Sequence, residues 1–161
     1  MVGVPYDRTM TADPVAPSII RHEFRAWLNE LGWPRDEAEG LVFAVSEAVT
    51  NAVEHAYPGP APKGMITVRA TEVNQPHEDR HLLIRVSDHG RWRPIPADSG
   101  NRRRGIPLMR AFTNSLVIDP SPTGTRVTLT SRSVPVTRDL VRGVPKDGAR
   151  VTFKPFRPDT R

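Results

Sequence analysis

In the stretch SEAVTNAVEH, residues 46–55, Glu47, Asn51 and His55 recur every four residues. Positions i, i+4 and i+8 of a helix lie along one side, so a carboxylate, an amide and an imidazole would form a single polar seam. Ala48, Ala52 and Ala56 flank that seam with small side chains and leave room for something flat. The face also lacks the Lys and Arg that usually solubilise an exposed helix. The plain alternative is the solvent face of an amphipathic helix. Three shorter pieces carry compatible chemistry. Asp88-His89-Gly90 ends an apolar run; its carboxylate can accept from an exocyclic amine, and Gly90 lets backbone approach a planar ring. In GNRRRGIPLM, residues 100–109, a loop meets a helix start, whose free N–H groups and partial positive charge suit phosphate. Arg102, Arg103 and Arg104 add forked donors for phosphate oxygens. Thr123-Gly124-Thr125 precedes the last strand-like run and by itself reads as a tight turn.

The elements that must position these groups can be read from periodicity. Residues 5–12 suit a short strand. From Pro14, the apolar positions Val15, Ile19, Ile20, Phe24, Trp27, Leu28 and Leu31 recur at helical spacing, with Gly32 as a C-cap. A second helix opens at Pro34 or Asp36 and carries a wide apolar stripe from Leu41 to Ala56. It stops near Tyr57, because PGPAPKG cannot continue it. Residues 65–73 and 81–88 alternate as two strands joined by a polar hairpin connection. Residues 89–104 lack periodicity and read as a mobile loop, with arginines at 91, 93 and 102–104. GIPLMRAF opens a short helix, with Pro107 tolerated in its first turn. SLVIDP and TGTRVTLTSR complete the sheet. The order β-α-α-β-β-α-β-β predicts an α/β (α+β) two-layer sandwich: a mixed, mostly antiparallel sheet with helices on one face.

The chain has 161 residues, enough for one domain with an appendage. It has no Cys, which excludes a disulfide framework and a thiolate metal site. No run of about 18 apolar residues suggests a membrane span. The N-terminus lacks the basic and apolar regions of a signal peptide, so a cytoplasmic location is expected. The net charge is +5, but residues 133–161 hold seven Arg or Lys against three Asp and carry most of it. The body is close to neutral. The expected division is therefore a domain over residues 1–132 and a basic C-terminal extension over 133–161, with direct nucleic-acid binding disfavoured.

In this order and spacing, EAVTNAVEHAY, VSDHG, RRRGIPLMRAF and GTRVTLT resemble the N, G1, G2 and terminal Gly-Thr boxes of the GHKL ATPase superfamily. The resemblance covers about residues 5–132 and is nearest to anti-sigma-factor serine/threonine kinases of the RsbW/SpoIIAB type. It implies the Bergerat ATP-binding fold, ATP and Mg²⁺ as cofactors, and a homodimer. It also implies two partners, a sigma factor and an anti-anti-sigma (STAS-type) protein that is phosphorylated on serine. Residue by residue, it makes Glu47 the general base and Asn51 the Mg²⁺ ligand. Asp88 accepts the adenine amine, Gly90 clears the ring, and Thr125 completes the adenine hydrogen bonds. Arg104 and the Gly105 amide meet the phosphates, and His55 lines the pocket. Two positions depart from the pattern. Trp92 stands where the second glycine of the G1 box is expected, and Arg103 replaces the first glycine of the G2 box. A regulatory module that binds nucleotide and partner with weak catalysis is the alternative. A histidine kinase is less favoured, since the length leaves no room for a dimerising helix pair.

Overall fold

The computed structural model describes residues 3–57, 59, 62–75, 79–91 and 105–136. Strand β1 (Tyr6–Thr11) leads into helices α1 (Ala16–Glu30) and α2 (Arg35–His55). Strands β2 (Met65–Asn74) and β3 (Asp79–Asp88) follow, then helix α3 (Gly105–Ala111) and strands β4 (Ser115–Ser121), β5 (Gly124–Thr130) and β6 (Val134–Pro135). The sheet runs β1-β2-β3-β5-β4, and every described pairing is antiparallel. It is the α/β sandwich the sequence predicts.

Local chemistry explains where the helices begin and end. Pro17 sits in the first turn of α1, where its missing N–H costs nothing. The helix ends in a Schellman arrangement: the Trp33 N–H donates to the Leu28 carbonyl at 2.9 Å and the Gly32 N–H to the Asn29 carbonyl at 3.0 Å. That geometry needs the positive φ of 60° found at Gly32. Helix α2 carries Asp36 and Glu37 in its first turn and His55 in its last, matching the sign of the helix dipole. One expectation fails at the start of α1. Val15 caps the helix from outside and is 55% exposed, while Ala16 and Pro17 turn inward.

The core lies between the helices and one face of the sheet. Ile20, Phe24 and Leu28 from α1 and Leu41, Val45 and Val49 from α2 are fully buried. They meet Ile66, Val68 and Ala70 of β2, Leu82 and Ile84 of β3, and Leu129 of β5. The inward positions of each strand alternate with outward ones such as Arg69 and Arg85, as a one-sided sheet requires. Residues 134–135, placed in the extension by the sequence, pair with Asp79 and Arg80 at the start of β3. Arg80 is buried there. It donates to the Leu31 and Gly32 carbonyls at 2.9 and 3.0 Å, lies 3.5 Å from Glu72, and stacks on Trp33. This anchors the end of α1 to the sheet and fixes how α2 starts.

Candidate functional site

α2 delivers the polar seam to a cavity between itself, the sheet and α3. The cavity encloses about 550 Å³ of space, part of it open to solvent. Asn51 and His55 line it, as do Ala48, Ala52 and Ala56, which are the small side chains that leave the space. Val86, Ile106, Met109, Ile118 and Val127 supply apolar walls, and Asp88 and Thr125 supply polar groups at one end. A flat apolar slot with a carboxylate at its end suits a purine ring bearing an exocyclic amine.

The Asp88 end is held by backbone hydrogen bonds. Asp88 Oδ1 accepts the Gly90 N–H at 2.9 Å and the Thr125 N–H at 3.2 Å. Its other oxygen has no partner among the described residues. Burial pushes the Asp88 carboxyl above the ordinary carboxylate range, and the two backbone N–H groups work against that rise. Gly90 is outside the cavity lining. The space where its Cβ would stand is taken by the Ala56 carbonyl oxygen, and Arg91 N–H donates to that same oxygen at 2.9 Å. The room Gly90 makes is therefore first of all for the end of α2. Gly124, at φ 146°, plays the matching part on the other side, where the Asp88 carbonyl occupies its Cβ space.

At the opposite end, Glu47 is half-buried, and burial, followed by the charge of Glu54, pushes its carboxyl upward. Glu47 does not line this cavity. It borders a second, open cavity of about 690 Å³ between α1 and α2, with Arg21, Arg25, Glu39, Phe43, Ser46 and Thr50. Gly105, the first residue of α3, packs against the Glu47 carboxylate, which would collide with any Cβ there. The G2 glycine and the candidate base are thus neighbours, with Asn51 one helical turn further along α2. Arg104 lies outside the described residues, as do Trp92, Arg102 and Arg103.

Among the described residues, no group of three or more His, Asp or Glu side chains could hold a metal ion. Asn51 has a hard amide oxygen with no hydrogen-bond partner among those residues. It fits a Mg²⁺ ion that takes its remaining oxygens from phosphates and water.

Four side chains that shape the site, Tyr57, Arg91, Ile106 and Met109, are not among the candidate site residues read from the sequence. Tyr57, just past α2, donates its hydroxyl to the Met65 carbonyl and accepts the His89 N–H, both at 2.9 Å. Arg91 lines the cavity beside Asp88. Ile106 and Met109 are its floor, and their i, i+3 spacing in GIPLM was the available signal.

The histidine kinase-like ATPase domain family matches residues 10–131, most of the described chain. The protein belongs to that family. A serine-protein kinase RsbW of Bacillus licheniformis is 40% identical over 79 residues, 49% of this chain and 46% of that protein. RsbW of Bacillus cereus is 36% identical over 89 residues, 55% of this chain and 49% of its own length. The chain thus spans about half the length of the curated relatives it matches. The crystal structure of the RsbU and RsbW domains of Rv1364c from Mycobacterium tuberculosis superposes with a TM-score of 0.62 at 30% identity, over 82% of this chain and 33% of that one. No described helix is long and apolar enough to cross a membrane.

Proposed function

We propose that the protein is an ATP-dependent anti-sigma factor of the cytoplasm that binds a sigma factor and phosphorylates a serine on an anti-anti-sigma (STAS-type) antagonist. The observation that carries this reading is the position of Glu47. Its carboxylate stands beside Gly105 and borders a cavity separate from the one lined by Asn51 and Asp88. A nucleotide bound with its base on Asp88 would run along the Asn51 seam toward Gly105. A protein hydroxyl would enter from the α1–α2 side. Glu47 would take the hydroxyl proton as the serine oxygen attacks the γ-phosphorus and the bond to the bridging β–γ oxygen breaks, releasing ADP. Phosphoryl transfer of this kind asks for positioning and charge neutralisation more than for covalent chemistry.

Each remaining residue has a part in this reading. Asp88 and Thr125 recognise adenine, His55 lines the slot, and Asn51 offers an oxygen to Mg²⁺. The Gly105 amide and Arg104 meet the phosphates. Mg²⁺ neutralises phosphate charge when bound. The match to RsbW kinases supports the assignment, and a homodimer is part of it. The test is transfer of label from [γ-³²P]ATP to a STAS-type protein, run beside the same acceptor with its serine replaced by alanine. Label on the first and not on the second supports the reading. ATP binding without label on either would favour a regulatory module that binds nucleotide and partner.

A further inference from the structure

We infer that the Tyr57 hydroxyl is a positioning group that sets the selectivity of the site for a 6-amino purine, because it holds in place the turn that carries Asp88. This rests on the reading that adenine sits against Asp88.

One hydroxyl joins three segments that are distant in sequence. Tyr57 follows the last turn of α2, its O–H donates to the Met65 carbonyl at the start of β2, and it accepts the N–H of His89 in the turn after β3. His89 is the residue next to Asp88. Two further contacts reach the same turn from α2: the Ala56 carbonyl accepts the Arg91 N–H and fills the space left by the missing Gly90 side chain. Residues 89, 90 and 91 are therefore each held by the segment 56–57. The ring of Tyr57 lies close against Gly64, in the space a Cβ there would need.

These contacts bear on one atom of the ligand. Asp88 Oδ1 is committed to the Gly90 and Thr125 N–H groups, so the direction of the other carboxylate oxygen follows from where the turn sits. A displacement of the turn by about 1 Å would stretch a hydrogen bond to an exocyclic amine beyond useful length. The apolar walls come from Ala48, Ala52, Ile106, Met109 and Val127, and the Tyr57 hydroxyl bonds to the Met65 carbonyl and the His89 N–H instead, so stacking of the ring would persist when only the hydroxyl is removed. Removing the hydroxyl should thus cost the contact to the amine and spare the rest of the nucleotide.

The experiment measures the affinity of wild-type protein and Tyr57→Phe for ATP and for purine riboside triphosphate, which lacks the 6-amino group. The wild type should prefer ATP. Tyr57→Phe should lose about three- to tenfold toward ATP, the worth of one hydrogen bond, and almost nothing toward the analogue. Backbone amide exchange of His89, compared with that of core strand amides such as Val86, gives a readout independent of nucleotide that separates local loosening of the turn from a general loss of stability. In the wild type it should be slowed, and in Tyr57→Phe it should speed up. A wild type that does not distinguish the two nucleotides overturns the adenine reading and this inference with it. A wild type that does distinguish them, with equal losses for both in Tyr57→Phe, makes Tyr57 merely structural and overturns the inference alone. An unprotected His89 amide in the wild type overturns it as well.

Discussion

The two ends of the site are built in opposite ways. Around Asp88 nearly every polar group is already bonded to the protein: Oδ1 holds two N–H groups, Gly90 and Gly124 let carbonyls close in, and Tyr57 ties the turn to β2. Around Glu47 the described side chains are left unspent. Neither Glu47 nor Asn51 has a hydrogen bond to a described residue, although Ser46 and Thr50 beside them do. The contrast fits the roles proposed for the two ends. Recognition of a fixed pattern on a base gains from preorganisation, because nothing need be ordered when the ligand arrives. Groups that take a proton or meet a metal must keep their lone pairs for partners that come with the ligand. The burial-raised pKa of Glu47 points the same way, since a base that is also hydrogen-bonded by amides would be held down.

The comparison can be broken by changing one end at a time. Glu47→Gln should lower phosphoryl transfer to the antagonist by about 10²- to 10⁴-fold, the usual worth of a positioned general base. Label transfer at saturating ATP measures this, and a loss of only a few-fold would remove Glu47 from the chemistry. Next in size, Asp88→Asn should weaken ATP by about 1–3 kcal/mol in a calorimetric titration, with transfer at saturating ATP largely kept. GTP bound as well as ATP by the wild type would show that Asp88 does not read the amine.

Gly90→Ala tests the wiring itself. A methyl group there meets the Ala56 carbonyl, so the turn or the end of α2 must move. The expected destabilisation is about 1–3 kcal/mol by denaturant unfolding. An unchanged midpoint would mean that the two segments are not tied.

Smallest is the effect of pH. The Glu47 carboxyl is raised first by burial and then by Glu54, and it must be ionised to accept a proton. The acid limb of the transfer rate should therefore lie above the ordinary carboxylate pKa of about 4.3. Glu54→Gln should move that limb slightly toward lower pH, and a shift in the other direction would contradict the assignment. Stability follows the same sign. A carboxyl whose folded pKa is raised contributes stability that is present below the ordinary range and is lost as pH rises through the raised value. Glu47→Gln should accordingly raise the melting temperature at neutral pH and leave it unchanged in acid.

Much of this division could be read from the sequence. Four-residue spacing put Glu47, Asn51 and His55 on one side of a helix, and the alanines beside them do leave the slot. Helical and strand periodicities located every element except β6, whose two residues are too few to alternate. The Tyr57 bridge was not legible, because it joins residues 8 and 32 positions away through a hydroxyl, and no local pattern encodes that. Gly90 was legible as a glycine needed for close approach, but what approaches it is the Ala56 carbonyl. Only the packing of α2 against β3 reveals that. The separation of Glu47 from the cavity lined by Asn51 and Asp88 was likewise hidden. On a helical wheel Glu47 and Asn51 share a side, yet the cavity stops between them, where α3 brings Gly105 against the carboxylate.

The claim that recognition and chemistry sit at separate ends is tested most directly by titrating ATP, with Mg²⁺ present, into Glu47→Gln in a calorimeter. The account predicts ATP affinity equal to or tighter than wild type, because Asp88, Thr125 and the apolar walls are untouched and a negative charge near the phosphates is gone. A tenfold or greater loss of affinity, about 1.4 kcal/mol, would show that Glu47 helps hold the nucleotide and would contradict the account.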